Sequence, residues 1–170
     1  MSRGQIARRI PLLARQIARC YQGGPLTVVA VMTGSLMFLA DLVRGLDLPL
    51  RVLLVPVRSY RGGAVTPSKL KMGPVGGDLA GRHVLVIDDV LDGGATLSKL
   101  LGRIRRRRPA SLRSCVLLRK TKPQAPAQRV RPDFVGFEAP DRFVVGYGLD
   151  YDDLYRNLPD VRELVWAKRR

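Results

Sequence analysis

Residues Val84 to Leu97 read VLVIDDVLDGGATL, an order of residue types that can do chemistry. Four apolar residues (84–87) make a buried strand. Two adjacent acids, Asp88 and Asp89, stand at its carboxyl end. A third acid follows at Asp92, then the pair Gly93-Gly94, then a helix start at Ala95-Thr96. In an open α/β sheet, ligands bind at the carboxyl ends of strands. The glycines let backbone N–H groups approach a phosphate, and the helix N-terminus adds a dipole that favours negative charge. Thr96 can add a hydroxyl donor. Acids beside such an anion site are electrostatically unfavourable unless they serve sugar hydroxyls or a metal, so the unit suits a phosphorylated sugar. A plainer reading places the acids at a helix N-terminus for capping and dipole reasons. It accounts for Asp92 but not for Asp88-Asp89 after a wholly apolar strand. Neither the Walker pattern nor G-x-G-x-x-G occurs.

A second stretch, Pro132 to Pro159, reads PDFVGFEAPDRFVVGYGLDYDDLYRNLP. Phe134, Phe137, Phe143, Tyr147, Tyr151 and Tyr155 gather here although aromatics are only 6% of the chain. An aromatic face with a few polar groups is what a flat heterocyclic base needs. For Phe134, Phe137 and Tyr147 the simpler expectation is core packing. Asp150 and Arg156 have no place in that packing.

The elements that must position these residues can be read from periodicity. Ile6, Ile10, Leu13 and Ile17 recur at helical spacing and predict an amphipathic helix that ends near Gly23-Gly24-Pro25. Pro11 is expected either to start its regular part or to bend it. Strands are expected at 26–32, 50–57, 84–89, 112–118, 133–137 and 143–147, with a last short one at 164–166. Pro56 marks an edge or a strand end. Helices are expected at 36–46 and 95–107. The segment 59–78, rich in Gly, Pro, Ser and Lys, reads as a long functional loop that has room for a hairpin. Apolar strands alternating with helices predict a single α/β domain over residues 1–170 with a mainly parallel sheet.

Composition excludes some classes and raises another. No run of about 18 apolar residues occurs, so no membrane-spanning helix is expected. Met1 to Tyr21 carries Arg at 3, 8, 9, 15 and 19 and lacks the apolar stretch of a signal peptide. Cys20, Cys115 and the lone His83 cannot build a Cys/His zinc site. Both cysteines are expected as reduced thiols in or near a core, and His83 in a surface turn. These features suit a cytoplasmic protein. Thirty Lys and Arg against 14 Asp and Glu give a formal charge of +16, a balance that invites an anionic-polymer reading. The run Arg103, Arg105, Arg106, Arg107, Arg108 could serve it. Yet the run holds no aromatic residue for base stacking, and a solvated helix end is the simpler expectation.

The 84–97 unit resembles the phosphoribosyl-pyrophosphate (PRPP) signature of type I phosphoribosyltransferases. The C-terminal stretch resembles the DFVGFE…PD-x-FVVGYGLDY…RNLP pattern of the hypoxanthine-guanine members. The likeness spans about Gln5 to Pro159. It implies a mainly parallel twisted sheet flanked by helices, with a small purine-binding hood from the chain ends (130–170). It implies transfer of the phosphoribosyl group of PRPP to hypoxanthine or guanine with Mg²⁺, in a homodimer or homotetramer, with nucleic acid not a partner. By the same likeness, Asp88, Asp89, Asp92, Gly93, Gly94, Ala95 and Thr96 hold the ribose and 5′-phosphate, and Asp92 is the catalytic base. Thr33, Gly34 and Arg156 bind pyrophosphate, within a Met32-Thr33-Gly34-Ser35 loop whose non-proline peptide is often cis. Ser59 and Tyr60 belong to a lid over 59–78. Phe143 stacks on the purine, Val144 bonds its edge through the backbone, and Lys120 donates to the 6-oxo group. Lys122, two residues on, is the alternative. The likeness places Asp150 in the purine site, on magnesium at the pyrophosphate side, with the backbone beside it on the 2-amino edge and Asp88 and Asp89 as further metal ligands. Two positions depart from the pattern. Gly93 stands where Thr is common, and Thr33 where Lys is usual.

Overall fold

The apolar stripe of the first helix continues through its proline. Helix α1 (Arg3–Tyr21) buries Ile6, Ile10, Leu13, Ala14, Ile17 and Tyr21, with Pro11 inside it. The helix therefore starts well before Pro11, because the buried stripe on both sides offsets the one missing N–H bond. The structure, a computed structural model, describes residues 1–21, 24–59, 70–121 and 129–165. The side chains of Arg58 and Ser59, and residues Tyr60, Lys122 and Trp166, on which some expectations fall, lie outside that description.

Strand β1 (Leu26–Met32) leads through a turn into helix α2 (Leu36–Arg44), and β2 (Leu50–Ser59) follows. Short β3 (Leu70–Met72) folds back antiparallel on the end of β2, so the 59–78 segment does hold a hairpin partner. Strand β4 (His83–Leu91), helix α3 (Ala95–Arg105), β5 (Ser111–Lys120) and β6 (Phe134–Ala139) complete the main unit. The sheet order is β3-β2-β1-β4-β5-β6, with every pair from β2 to β6 parallel. Before β3 joins at Val57, β2 is an edge strand, which is where Pro56 sits. Strand order reverses between β1 and β4, and in such sheets that point opens a crevice at the strands' carboxyl ends.

The core has two sides. Val28, Ala30, Leu85, Ile87, Cys115 and Leu117 face α1 and α2. Val29, Val31, Val84, Val86 and Val116 face α3 through Leu97, Leu100 and Ile104. Phe134, Phe137 and Tyr147 join the first side, as expected of core aromatics.

The C-terminal elements are β7 (Val144–Val145) and β8 (Arg162–Glu163), an antiparallel pair. The last strand thus lies two residues earlier than periodicity suggested, because Arg162 and Glu163 match β7 in register. Leu164 N still donates to Phe143 O at 2.9 Å. Met1 and Val161 exchange backbone bonds, so residues from both chain ends form the hood.

Three further sequence expectations change. His83 opens β4 instead of sitting in a turn, exposed, with Nδ1 2.8 Å from Ser111 Oγ. Cys20 is exposed, since its helical phase falls off the buried stripe, whereas Cys115 is buried. The arginine run is only partly solvated. Arg103 donates to the carbonyls of Met72 and Gly73 (3.3 and 3.1 Å), and Arg107 to Val75 (2.7 Å) and Gly77. With Lys99 on Leu70 O at 3.4 Å, one face of α3 binds the segment that returns from β3.

Burial pushes the Cys115 thiol far above the ordinary range. One thiol, Cys20, should therefore react rapidly with a disulfide reagent in the native protein and two in denaturant. Two fast thiols in the native protein would contradict this packing.

Candidate functional site

Asp88 and Asp89 are the sixth and seventh residues of β4, carried by the sheet to its carboxyl edge. Asp88 is 4% exposed, and its Oδ1 accepts from Asp89 N at 3.0 Å. Asp89 Oδ1 accepts from Val90 N at 2.8 Å. Burial, then the neighbouring Asp89 charge, raises the Asp88 carboxyl well above the usual carboxylate range. Burial raises Asp89 as well, against the pull of its hydrogen bonds and the Arg156 charge. Two carboxylates held this close to one another and away from water call for cationic or hydroxyl partners.

The turn after β4 runs into a helix, as its residues predict. Gly94 caps α3 with φ +86°, and no side chain caps the helix. Its first N–H groups are left for a ligand. Asp88, Asp92, Gly93, Gly94, Ala95 and Thr96 line one cavity of about 120 Å³ with neighbouring apolar residues. A larger cavity of about 310 Å³ lies between α2 and residues 156–159. None of the β4 acids lines it, so chemistry and not size selects the smaller one. Asp92 is not a capping residue. Its Oδ2 lies 3.6 Å from Lys120 Nζ, at the end of β5. The same ammonium lies 3.4 Å from Asp141 Oδ1.

The Met32–Thr33 peptide is cis, as the likeness implied. Ser35, fully buried, turns its hydroxyl back to Val31 O at 2.5 Å and fixes the loop. Gly34 is needed for close approach, because a Cβ there would stand 1.7 Å from Asp89 Oδ2. Gly148, with φ +99°, packs on the other side, and its Cβ would stand 2.2 Å from Gly34 O. The loop of Thr33 and Gly34 is thus clasped between β4 and the chain after β7.

Arg156 anchors that chain. Its Nη1 reaches Asp150 Oδ1 and Gly148 O, both at 2.9 Å, and its Nη2 reaches Asp153 Oδ1 at 2.8 Å. Asp150 Oδ2 also accepts from Asp153 N at 2.9 Å. Phe143 meets Tyr151 edge to face at 5.8 Å. Because Leu164 N bonds Phe143 O, Val144 and Glu163 form the non-hydrogen-bonded pair of the ladder. The N–H and C=O of Val144 therefore point away from β8, where a planar ligand's edge can use them. Tyr147 OH donates to Asp41 Oδ2 at 2.7 Å and ties this segment to α2.

The structure thus joins Asp88, Asp92 and the Gly93–Thr96 turn in one cavity, Asp92 with Lys120, Asp89 with Gly34, and Asp150 with Arg156. Ser59 ends β2, with its side chain outside the description, as is Tyr60. Asp141, Gly148 and Asp153 were missed by sequence reasoning. No spacing along the chain signals Asp141, which comes near Lys120 because Lys120 pairs with Ala139 of β6, two residues before it. Among the described residues no group of three or more His, Cys, Asp or Glu is set to hold a metal. The adjacent carboxylates Asp88 and Asp89 at the end of β4 have the oxygen donors of a hard divalent cation that takes one or two carboxylates and completes its shell with phosphate and water.

A family model described as phosphoribosyl transferase domain matches residues 2–152. A hypoxanthine phosphoribosyltransferase of Haemophilus influenzae is 39% identical over 169 residues, covering 97% of this chain and 93% of that protein. A hypoxanthine-guanine phosphoribosyltransferase of Mycobacterium avium is 40% identical over 161 residues, covering 91% and 78%. A crystal structure of a hypoxanthine-guanine phosphoribosyltransferase from Bacillus anthracis superposes with a TM-score of 0.87 at 33% identity, over 96% of this chain and 94% of that one.

The clasp around Gly34 makes Gly148→Ala the informative change. It forces a methyl against backbone at positive φ, which costs roughly 1–3 kcal/mol. The denaturation midpoint should fall accordingly, and an unchanged midpoint would show that the loop yields freely.

Proposed function

Because the chain belongs to the hypoxanthine-guanine phosphoribosyltransferase family of phosphoribosyl transferase domains, we propose the following activity. It transfers the 5-phosphoribosyl group from PRPP to hypoxanthine or guanine, giving IMP or GMP plus pyrophosphate, in purine salvage. One observation carries the reading: the uncapped helix cavity and the Lys120 ammonium share a single carboxylate, Asp92. A sugar-phosphate cradle and a base-recognition cation are thereby one side chain apart.

In this reading the 5′-phosphate sits on the N–H groups of Gly93 to Thr96. Loss of a threonine hydroxyl at Gly93 is offset by those backbone donors. Asp88 and Asp89 hold ribose hydroxyls or metal-bound water. The C1′–O bond breaks with its electron pair on pyrophosphate, and the N9 lone pair of the purine forms the new bond. Asp92 accepts the N7 proton while Lys120 donates to the 6-oxo oxygen. Adenine is disfavoured because its 6-amino group cannot accept that bond. Phe143 stacks on the ring, and the backbone of Val144 meets its edge. Leaving-group charge is met by Arg156 and the N–H groups of Thr33 and Gly34. Mg²⁺ when bound adds charge neutralisation at the pyrophosphate oxygens, held by Asp150 and by Asp88 or Asp89. Ser59 and Tyr60 belong to the lid that excludes water.

The reading includes assembly as a homodimer or homotetramer. Leu36 and Met37 on α2 and Val52 and Leu54 on β2 expose 38–53% of their surface. By register, Val52 and Leu54 lie on the α2 side of the sheet, so these side chains support a contact with a second copy. The proposed compartment is the cytoplasm, where Cys20 and Cys115 stay reduced.

Purified protein with PRPP and Mg²⁺ should form IMP from hypoxanthine and GMP from guanine, with little product from adenine; no nucleotide from either 6-oxopurine would overturn the reading. Asp92→Asn should retain nucleotide binding but lose about 10²–10⁴-fold in turnover, the usual worth of a general base. Turnover at the wild-type rate would remove Asp92 from that role. Lys120→Ala should raise KM for hypoxanthine, and an unchanged KM would move the contact to Lys122.

A further inference from the structure

We infer that Asp141 is a positioning residue for Lys120, the carboxylate that keeps the ammonium in place when Asp92 turns to the purine. The inference rests on the roles proposed above for Lys120 and Asp92. Lys120 is only 12% exposed, whereas the carboxylates on either side of it, Asp92 and Asp141, are 49% and 50% exposed. An ammonium so far out of water needs compensating charge at all times. Both acids supply it, from 3.6 and 3.4 Å.

Catalysis then asks one of them to leave. Asp92 must give its oxygen to the N7 proton, and Lys120 must aim a donor at the 6-oxo group. An ammonium has three donors and no acceptor, so it can keep one carboxylate while adding the purine oxygen. Asp141 is built to be the one that stays. Lys120 pairs with Ala139 across the sheet, and Thr121 N bonds Ala139 O at 2.9 Å just beyond. The turn closes with Arg142 N on Pro140 O at 2.8 Å. Arg142 then pairs with Glu163 of β8 at 3.1 Å. Asp141 is therefore held by backbone on one side and by the hood on the other. Phe143 and Val144 follow two and three residues on, so the residue that orients the cation stands just before those that meet the ring. Asp92 by contrast stands in the turn between β4 and α3, on the sugar-phosphate side.

The arrangement has a functional consequence. Before a 6-oxopurine arrives, the base is paired with Lys120. A ligand that offers an oxygen at position 6 draws off the ammonium and frees Asp92, so recognition and proton acceptance are coupled through one cation.

Steady-state kinetics of wild type, Asp141→Asn, Lys120→Ala and the double variant test this. Asp141→Asn should raise KM for hypoxanthine by about tenfold, the usual scale of a charged hydrogen bond, with KM for PRPP unchanged. Asp141→Glu should recover most of the loss. In the Lys120→Ala background, Asp141→Asn should add nothing, since the two act as one unit. An impaired Lys120→Ala beside an unaffected Asp141→Asn overturns the inference alone. So does an Asp141→Asn effect that persists in full without Lys120, or that falls equally on PRPP. If Lys120→Ala itself leaves the hypoxanthine KM unchanged, the Lys120 assignment fails and the inference falls with it.

Discussion

The site depends on one close approach. Gly34 lies so near Asp89 on one side and Gly148 on the other that neither glycine has room for a side chain. Asp89 belongs to the central strand, Gly34 to the turn after the neighbouring strand, and Gly148 to the segment anchored by Arg156. The contact brings three pieces far apart in sequence so close that an added methyl at either glycine would collide with its neighbour. Atoms that must stabilise a leaving group gain little unless their positions are set before the reaction begins.

Around that contact the charge is arranged in linked pairs. Asp88 and Asp89 are raised by burial and oppose each other at the strand end, with the field of Arg156 acting on Asp89. Arg156 is itself held by Asp150, Asp153 and a carbonyl. Lys120 is shared by two acids. Under the proposed function, a substrate would displace the partners that Arg156 and Lys120 already have. Arg156 and Lys120 each hold counter-charges of this kind, whereas Asp88 and Asp89 face one another.

The excess of positive charge has a use that composition hides. Arg9 donates to Val135 O and Gly136 O at 2.7 and 2.8 Å on the edge strand β6. Arg51 reaches Asp78 O, and Arg103 and Arg107 bind the carbonyls between Met72 and Gly77. Guanidinium, with five donors in a planar fork, satisfies backbone oxygens that a sheet edge or a loop leaves open. Part of the +16 charge is thus internal wiring. Arg105, Arg106 and Arg108 remain exposed at the end of α3.

What the sequence determined by itself was local or periodic. Alternation of apolar runs announced the parallel sheet and its helices. The acids and glycines between Val84 and Leu97 announced a strand, a glycine turn and a helix start, because all three are encoded within 14 neighbouring residues. The sequence also placed Asp150 and Arg156 outside simple core packing, and the structure pairs them. Only tertiary structure decided that α1 runs through Pro11, since burial on both sides outweighed one lost bond. It also decided the pairing of Lys120 with Asp92 and Asp141, the wedge of Gly148 on Gly34, and the arginines that cap distant carbonyls. Those contacts join residues from different strands, and their closeness comes from sheet order and register. A spacing along the chain carries secondary structure; a distance across the sheet exists only once the strands have paired.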